Sequence, residues 1–216
     1  MIFGKIEYLN LLPFHTFMKR FTKGSSQKMS MHFKKGVPAD INQKFLTRRV
    51  DAAFISSIKA RKFNNIGLGI IAKKEVLSVL VIPGDTRTND KESATSNILA
   101  QVLGIQGEVL IGDKALKYYL TDGKRIDLAK VWHEKHQLPF VFALLCYHKD
   151  QKLYKRIKTN FLRSKVKIPQ YILQEASQRT GIEKKEILHY LEYISYEVDL
   201  QAKRGLKKFY QKVDNL

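Results

Sequence analysis

The sequence predicts an α/β protein folded as two lobes, on three observations. Over the first 150 residues, short apolar runs alternate with amphipathic helical stretches in the order β-α-β-α-β, which implies a largely parallel sheet. Two long apolar runs, at 76–82 and 140–147, enclose about sixty residues that carry a small β-α-β-α set of their own. From 149 onward the chain reads as helix. This is the pattern of a chain that crosses into a second lobe and returns. The first lobe is therefore expected to hold 1–82 plus 140–216, and the second 83–139.

Each element has a local reason. Residues 2–8 read as a strand ending at Asn10, and the next helix carries Phe14, Phe17, Met18 and Phe21 at helical spacing. A Gly-Ser-Ser loop at 24–26 leads to a second strand at 29–33. Turn chemistry at 36–40 opens a helix with Ile41, Phe45 and Leu46, ending near Arg49. Residues 51–55 form a short apolar strand of the kind buried on both faces, and Ser56 and Ser57 cap the helix behind it. The strand at 76–82 is stopped by Pro83, Gly84 and Asp85. Thr95 and Ser96 start a helix with Ile98, Leu99, Val102 and Leu103 on its apolar stripe. A strand at 108–111, a turn at Gly112-Asp113, a helix at 114–120 and a strand at 140–147 follow. Ile187, Leu188, Leu191, Ile194, Val198 and Ala202 keep three-to-four spacing, which predicts one continuing helix.

Composition excludes several classes. With 44% hydrophobic and 27% charged residues among 216, the chain can bury a core and is not a disordered segment. No apolar run approaches the roughly 18–20 residues that span a bilayer, and the start lacks a secretory apolar region. One cysteine, Cys146, excludes an internal disulfide. A cytoplasmic protein with no membrane partner is expected. Thirty-nine Lys and Arg against twenty Asp and Glu give a net charge of +19, a surface that attracts anions. Residues 173–191, with Ala176, Thr180, Gly181 and Ile182, look like a DNA-binding helix-turn-helix. The second helix, however, opens on Glu183, Lys184, Lys185 and Glu186, and acids there repel phosphate. Together with the absence of aromatic-rich signatures, this argues against nucleic acid as the partner.

The candidate site rests on a recurrence. Three times a strand gives way to a small polar residue that opens or precedes a helix: Asn10, Ser56-Ser57 and Gly112-Asp113, with Thr95-Ser96 a fourth polar helix start. Ligands of open α/β sheets collect outside the carboxyl ends of strands, and free N–H groups at helix starts favour anions. Several such starts facing one another suit a dicarboxylate. Phosphate-binding, dinucleotide, nucleophile-elbow and zinc-protease motifs are absent. His133 and His136 lack a carboxylate or cysteine in register, so no metal site is expected. His15 follows Asn10 closely and is read as a solvated first-turn histidine. Cys146, inside an apolar strand, is read as inert core.

These pieces together resemble a known family. Gly4-Lys5-Ile6-x-Tyr8-Leu9-Asn10-x-x-Pro13, Gly36-x-Pro38-x-x-Ile41-Asn42, residues 51–58 (ending Ile55-Ser56-Ser57-Ile58), Leu77-Ser78-Val79, Ala94-Thr95-Ser96, Leu110-Ile111-Gly112-Asp113-x-Ala115-Leu116, Asp127-Leu128-x-x-x-Trp132 and Leu138-Pro139-Phe140-Val141-Phe142-Ala143 resemble MqnA, the chorismate dehydratase family of the futalosine route to menaquinone. The resemblance covers most of the chain, and the last fifty residues carry least of it. It implies a periplasmic-binding-protein-like (type II) Venus-flytrap fold and no cofactor. The implied reaction is loss of water from chorismate, giving 3-[(1-carboxyvinyl)oxy]benzoate. Asn10 and Ser78 are the catalytic candidates, and Ser56, Ser57, Thr95, Ser96, Gly112 and Asp113 the substrate-binding ones. None of the Asn, Ser and Thr side chains ionises near pH 7, so positioning, desolvation and the substrate's own carboxylate as proton acceptor are expected to carry the reaction. The alternative is a non-catalytic carboxylate sensor of the same fold with a helix-turn-helix-like C-terminal segment. One departure stands out: His136-Gln137 replaces the Thr-Gly common before Leu-Pro-Phe-Val-Phe-Ala.

Overall fold

A computed structural model describes residues 1–22, 31–121 and 123–216. In chain order the elements are β1 (Ile2–Ile6), a 3-10 turn (Leu9–Leu11), α1 (Leu12–Phe21), β2 (His32–Gly36), α2 (Pro38–Leu46), β3 (Ala52–Ser56), α3 (Ser57–Ala60), β4 (Asn65–Ala72), β5 (Val79–Pro83), α4 (Ala94–Leu103), β6 (Gly107–Ile111), α5 (Gly112–Tyr119), β7 (Ile126–Asp127), α6 (Leu128–His136), β8 (Phe140–Tyr147), α7 (Gln151–Arg163), α8 (Gln170–Thr180), α9 (Lys184–Glu192), β9 (Ile194–Glu197) and α10 (Leu200–Asp214). They form a six-stranded sheet of order β2-β1-β3-β8-β4-β9 and a three-stranded sheet of order β6-β5-β7. Helices cover both sheets, as the α/β reading expects.

Four expectations are corrected. The sheets are not largely parallel: only β1 pairs in parallel, with β2 and β3, and every other strand pair is antiparallel. The cause is β8, which returns from the second sheet and inserts between β3 and β4 in the opposite direction. The crossing comes earlier than residue 82, because β5 already belongs to the second sheet, so the chain changes sheets within 73–78. The helix expected through Ile194 is interrupted, because 194–197 add a strand to the edge of β4. Finally, β2 begins at His32, while the strand start at 29–30 and the loop at 24–26 lie outside the described residues.

Packing explains why the large sheet is rigid. Phe14 on α1 meets Phe54 on β3 and Phe161 on α7 edge-on at 5.0 and 5.2 Å. Trp132, Phe140 and Phe209 join α6, β8 and α10 in the same way. Each such contact adds about 0.5–1.5 kcal/mol beyond area burial. Cys146 is buried in β8, where burial pushes its thiol up to about 12.

Two crossings connect the sheets, at 73–78 and 137–139, and each contains a non-glycine residue in the left-handed region, Leu77 (φ 60°) and Gln137 (φ 53°). Gln137 caps α6 at the place where the resemblance expects glycine, so the local conformation is kept at the cost of Cβ crowding. One carboxylate organises the first crossing. Asp127 Oδ2 accepts the N–H groups of Val76 and Leu77 at 2.9 and 2.8 Å, while Oδ1 accepts those of Ala129 and Lys130 at the start of α6. Burial pushes the Asp127 carboxyl above its ordinary range, against the pull of these four donors.

Candidate active site

Between the two sheets lies a cleft of about 80 Å³, bordered by Asn10, Ser56, Ser78, Ser96 and Gly112, with Tyr8, Glu92 and Ser93 beside them. Its remaining walls are apolar, including Phe54, Ile70, Val79 and Phe142. The elements that converge here are the 3-10 turn, the start of α3, the crossing before β5, and the starts of α4 and α5. Polar strand-to-helix junctions from both sheets thus meet at one place.

Each polar residue has a reason for its position. Asn42 on α2 donates to Ser56 Oγ at 3.2 Å and accepts the Ser56 N–H at 3.1 Å, fixing that serine at the end of β3. Ser93 caps α4 by accepting the Ser96 N–H at 3.1 Å and donates its hydroxyl to Ser96 Oγ at 2.8 Å. Ser78 accepts the Gly112 N–H through its backbone oxygen at 2.9 Å. Gly112 has φ +67°, and a Cβ there would sit 2.6 Å from the Tyr8 ring. Only glycine lets that ring lie against the start of α5. Asn10 is held through its backbone, because Tyr196 donates to its carbonyl at 2.7 Å.

Three predicted site residues do not border the cleft. Ser57 and Thr95 bond to each other at 3.3 Å, and the Ile58 N–H donates to Thr95 Oγ1, so the starts of α3 and α4 are joined across the sheets. Asp113 accepts the Leu9 N–H at 2.9 Å and pairs with Arg179 at 2.8 Å. It braces the turn that carries Asn10. Burial raises the Asp113 carboxyl above its ordinary range despite these two partners.

Sequence reasoning missed Tyr8, Glu92 and Tyr190. Tyr8 donates its hydroxyl to Glu92, linking the large sheet to the loop before α4. Burial and the neighbouring carboxylate raise the Tyr8 phenol above its ordinary value. Glu92 is the one charged residue among the described residues lining the cleft. Tyr190 on α9 reaches Ser78 from behind. Tyr8 lies inside a motif but contributes a contact 84 residues away, which no local spacing reveals.

His15 is not a solvated first-turn residue. Its Nε2–H donates to the Ile6 carbonyl at 2.8 Å, and its ring borders a larger groove of about 510 Å³ beside α1 and α8, away from the cleft. That groove shares only Tyr8 with the cleft, so it is set apart from the serine and asparagine cluster. Burial depresses the His15 imidazole from 6.5 to about 4. The folded state then holds the neutral ring while the unfolded chain takes up a proton first. Stability is therefore complete above pH about 6.5 and falls by about 3 kcal/mol as pH drops to about 4. Urea unfolding of the parent and His15→Gln at pH 7.5 and 4.5 checks this: the acid loss should shrink by that amount in the variant. Equal losses refute it.

A family model described as menaquinone biosynthesis matches residues 1–107 and 95–215. The chain belongs to that family. It is 47% identical over 213 residues to a chorismate dehydratase of Campylobacter jejuni subsp. jejuni, covering 97% of this chain and 96% of that protein. A chorismate dehydratase of Thermus thermophilus is 22% identical, covering 96% and 93%. Among solved structures, protein AF1704 from Archaeoglobus fulgidus superposes with a TM-score of 0.75 at 14% identity, covering 99% and 96%. The periplasmic aliphatic sulphonate binding protein SsuA of Escherichia coli gives 0.58 at 11% identity, covering 100% and 85%. The menaquinone-biosynthesis chain therefore has the periplasmic-binding-protein-like fold that its sequence implied. Among the described residues, no helix is long and apolar enough to cross a membrane.

Proposed function

We propose that the chain is a chorismate dehydratase, a hydro-lyase converting chorismate to 3-[(1-carboxyvinyl)oxy]benzoate and water in the cytoplasm. The observation that carries this reading is the cleft itself: neutral donors and acceptors from both sheets around a small apolar-walled space, in a chain 47% identical to a protein of that activity.

The reaction removes one ring proton and the neighbouring hydroxyl, and both leave as water, so atoms balance without a redox partner. Aromatisation makes it strongly downhill, and the barrier lies in breaking the C–H and C–O bonds. Ser56, Ser96 and the start of α5 at Gly112 supply hydrogen bonds for carboxylates, and Asn10 and Ser78 orient the reacting end. Ser57, Thr95 and Asp113 act one layer out in this reading, holding the helix starts and the Asn10 turn in place. The substrate's enolpyruvyl carboxylate takes the proton, because Glu92 is already engaged by Tyr8. Excluding water from the apolar walls strengthens each of these contacts.

Mixing the purified chain with chorismate and following the aromatic product by absorbance and chromatography tests the reading; unchanged chorismate after prolonged incubation ends it. Glu92→Gln tests the proton acceptor. Turnover should fall no more than about 10-fold, whereas a loss within or beyond the roughly 10²–10⁴-fold contribution of a general base would move that role to Glu92.

A further inference from the structure

The last fifty residues carry the least of the family resemblance, yet one of them bonds to a residue that borders the cleft. Ile187 and Tyr190 lie three apart on α9 and are both buried. Tyr190 is 2% exposed, and a phenylalanine would fill the same space. Burying a hydroxyl is costly unless it is bonded. Here its Oη is 2.8 Å from Ser78 Oγ. That partner borders the cleft and lies 112 residues away in sequence.

Proton accounting gives the arrangement a direction. Either hydroxyl can donate across the 2.8 Å contact. With the phenol as donor, Ser78 Oγ accepts and its own proton is left for the cleft it borders. Burial raises the phenol above its ordinary value, which keeps it in the neutral donor form at physiological pH.

We propose that Tyr190 is a positioning residue for the dehydration: its buried hydroxyl donates to Ser78 Oγ, fixes that side chain, and turns the Ser78 proton toward the substrate oxygen on which negative charge grows. The proposal rests on the chorismate dehydratase reading. It makes Ser78 the catalytic residue in contact with substrate, and Tyr190 the residue acting through it.

The test compares Tyr190→Phe, Ser78→Ala and the double variant, measuring kcat, KM and thermal midpoint with chorismate. Tyr190→Phe should lower kcat by about 10- to 100-fold, somewhat less than loss of a direct transition-state donor, with KM within about threefold. Ser78→Ala should lower kcat at least as much. The double variant should be no slower than Ser78→Ala alone, because the two act as one unit. A purely structural tyrosine would instead lower the melting temperature and leave kcat per folded molecule unchanged. Full kcat in Tyr190→Phe, or multiplied losses in the double variant, overturns the proposal alone. If Tyr190→Phe does not fold, Ser78→Ala decides: undiminished kcat there also overturns it. No turnover by the unaltered chain overturns the dehydratase reading and the proposal with it.

Discussion

Replacing Asn10 with alanine is expected to lower kcat for chorismate by about 10²–10³-fold, the range for removing a preorganised donor from a water-poor site. The fold should survive, because what holds this turn in place is backbone. The Asn10 carbonyl accepts from Tyr196, and the preceding Leu9 N–H is held by Asp113. Alanine keeps both bonds. The side chain is left for the cleft, so its loss should appear in turnover rather than in melting temperature. Steady-state kinetics alongside a thermal melt decide the matter. Turnover within threefold of the parent, in a folded variant, would remove Asn10 from the chemistry.

The second large effect is on stability. Asp127→Ala strips the acceptor from four backbone N–H groups at once, two at the first crossing and two at the start of α6. Buried donors left unpaired cost about 1–3 kcal/mol each, partly recovered by relaxation and water. A loss of about 4 kcal/mol is expected, or roughly 10 °C in melting temperature for a chain of this size. Leu77 adds to the effect, because its left-handed backbone is costly for a residue with a Cβ and its N–H bond to Asp127 offsets part of that cost. Asp127→Asn makes the comparison sharper. The two carboxylate oxygens serve different pairs of donors, and an amide nitrogen accepts from neither pair. The asparagine variant should therefore lose about half as much. If it melts with the alanine variant, or if neither moves, the assignment of the crossing to this carboxylate fails.

Much of the frame is legible in the sequence. The apolar strands β1, β3 and β8, the helices α2, α4 and α5, and the excursion to a second sheet all follow from local spacing. So does the nearness of Asn10, which follows β1, and Ser56, which ends the adjacent parallel strand β3, whereas Ser96 and Gly112 meet them from the second sheet. What escapes is long-range. Strand β4 is hidden because Gly67 and Gly69 look like breakers, yet at Gly69 a side chain would press to 2.6 Å from the Ala143 carbonyl of the neighbouring strand. Strand β9 is hidden because Ile194, Val198 and Ala202 fit a helical stripe as well as they fit a four-residue edge strand followed by α10. The direction of β8 cannot be read from its composition, because an apolar strand buried on both faces is the same in either direction. Ser57, Thr95 and Asp113 have the right residue types, but their partners lie up to 104 residues away and decide that they brace rather than border the cleft.

Three tyrosines near the end of the chain reach back to its earlier segments: Tyr190 to Ser78, Tyr196 to the Asn10 carbonyl and Tyr210 to the Ser57 carbonyl. During synthesis these hydroxyls leave the ribosome more than a hundred residues after the segments they bond. The pocket therefore has no back wall until the segment that carries the three tyrosines has emerged. Competence is thereby tied to the arrival of residues 190–210, and a product that stops short of them should be inert rather than half-active.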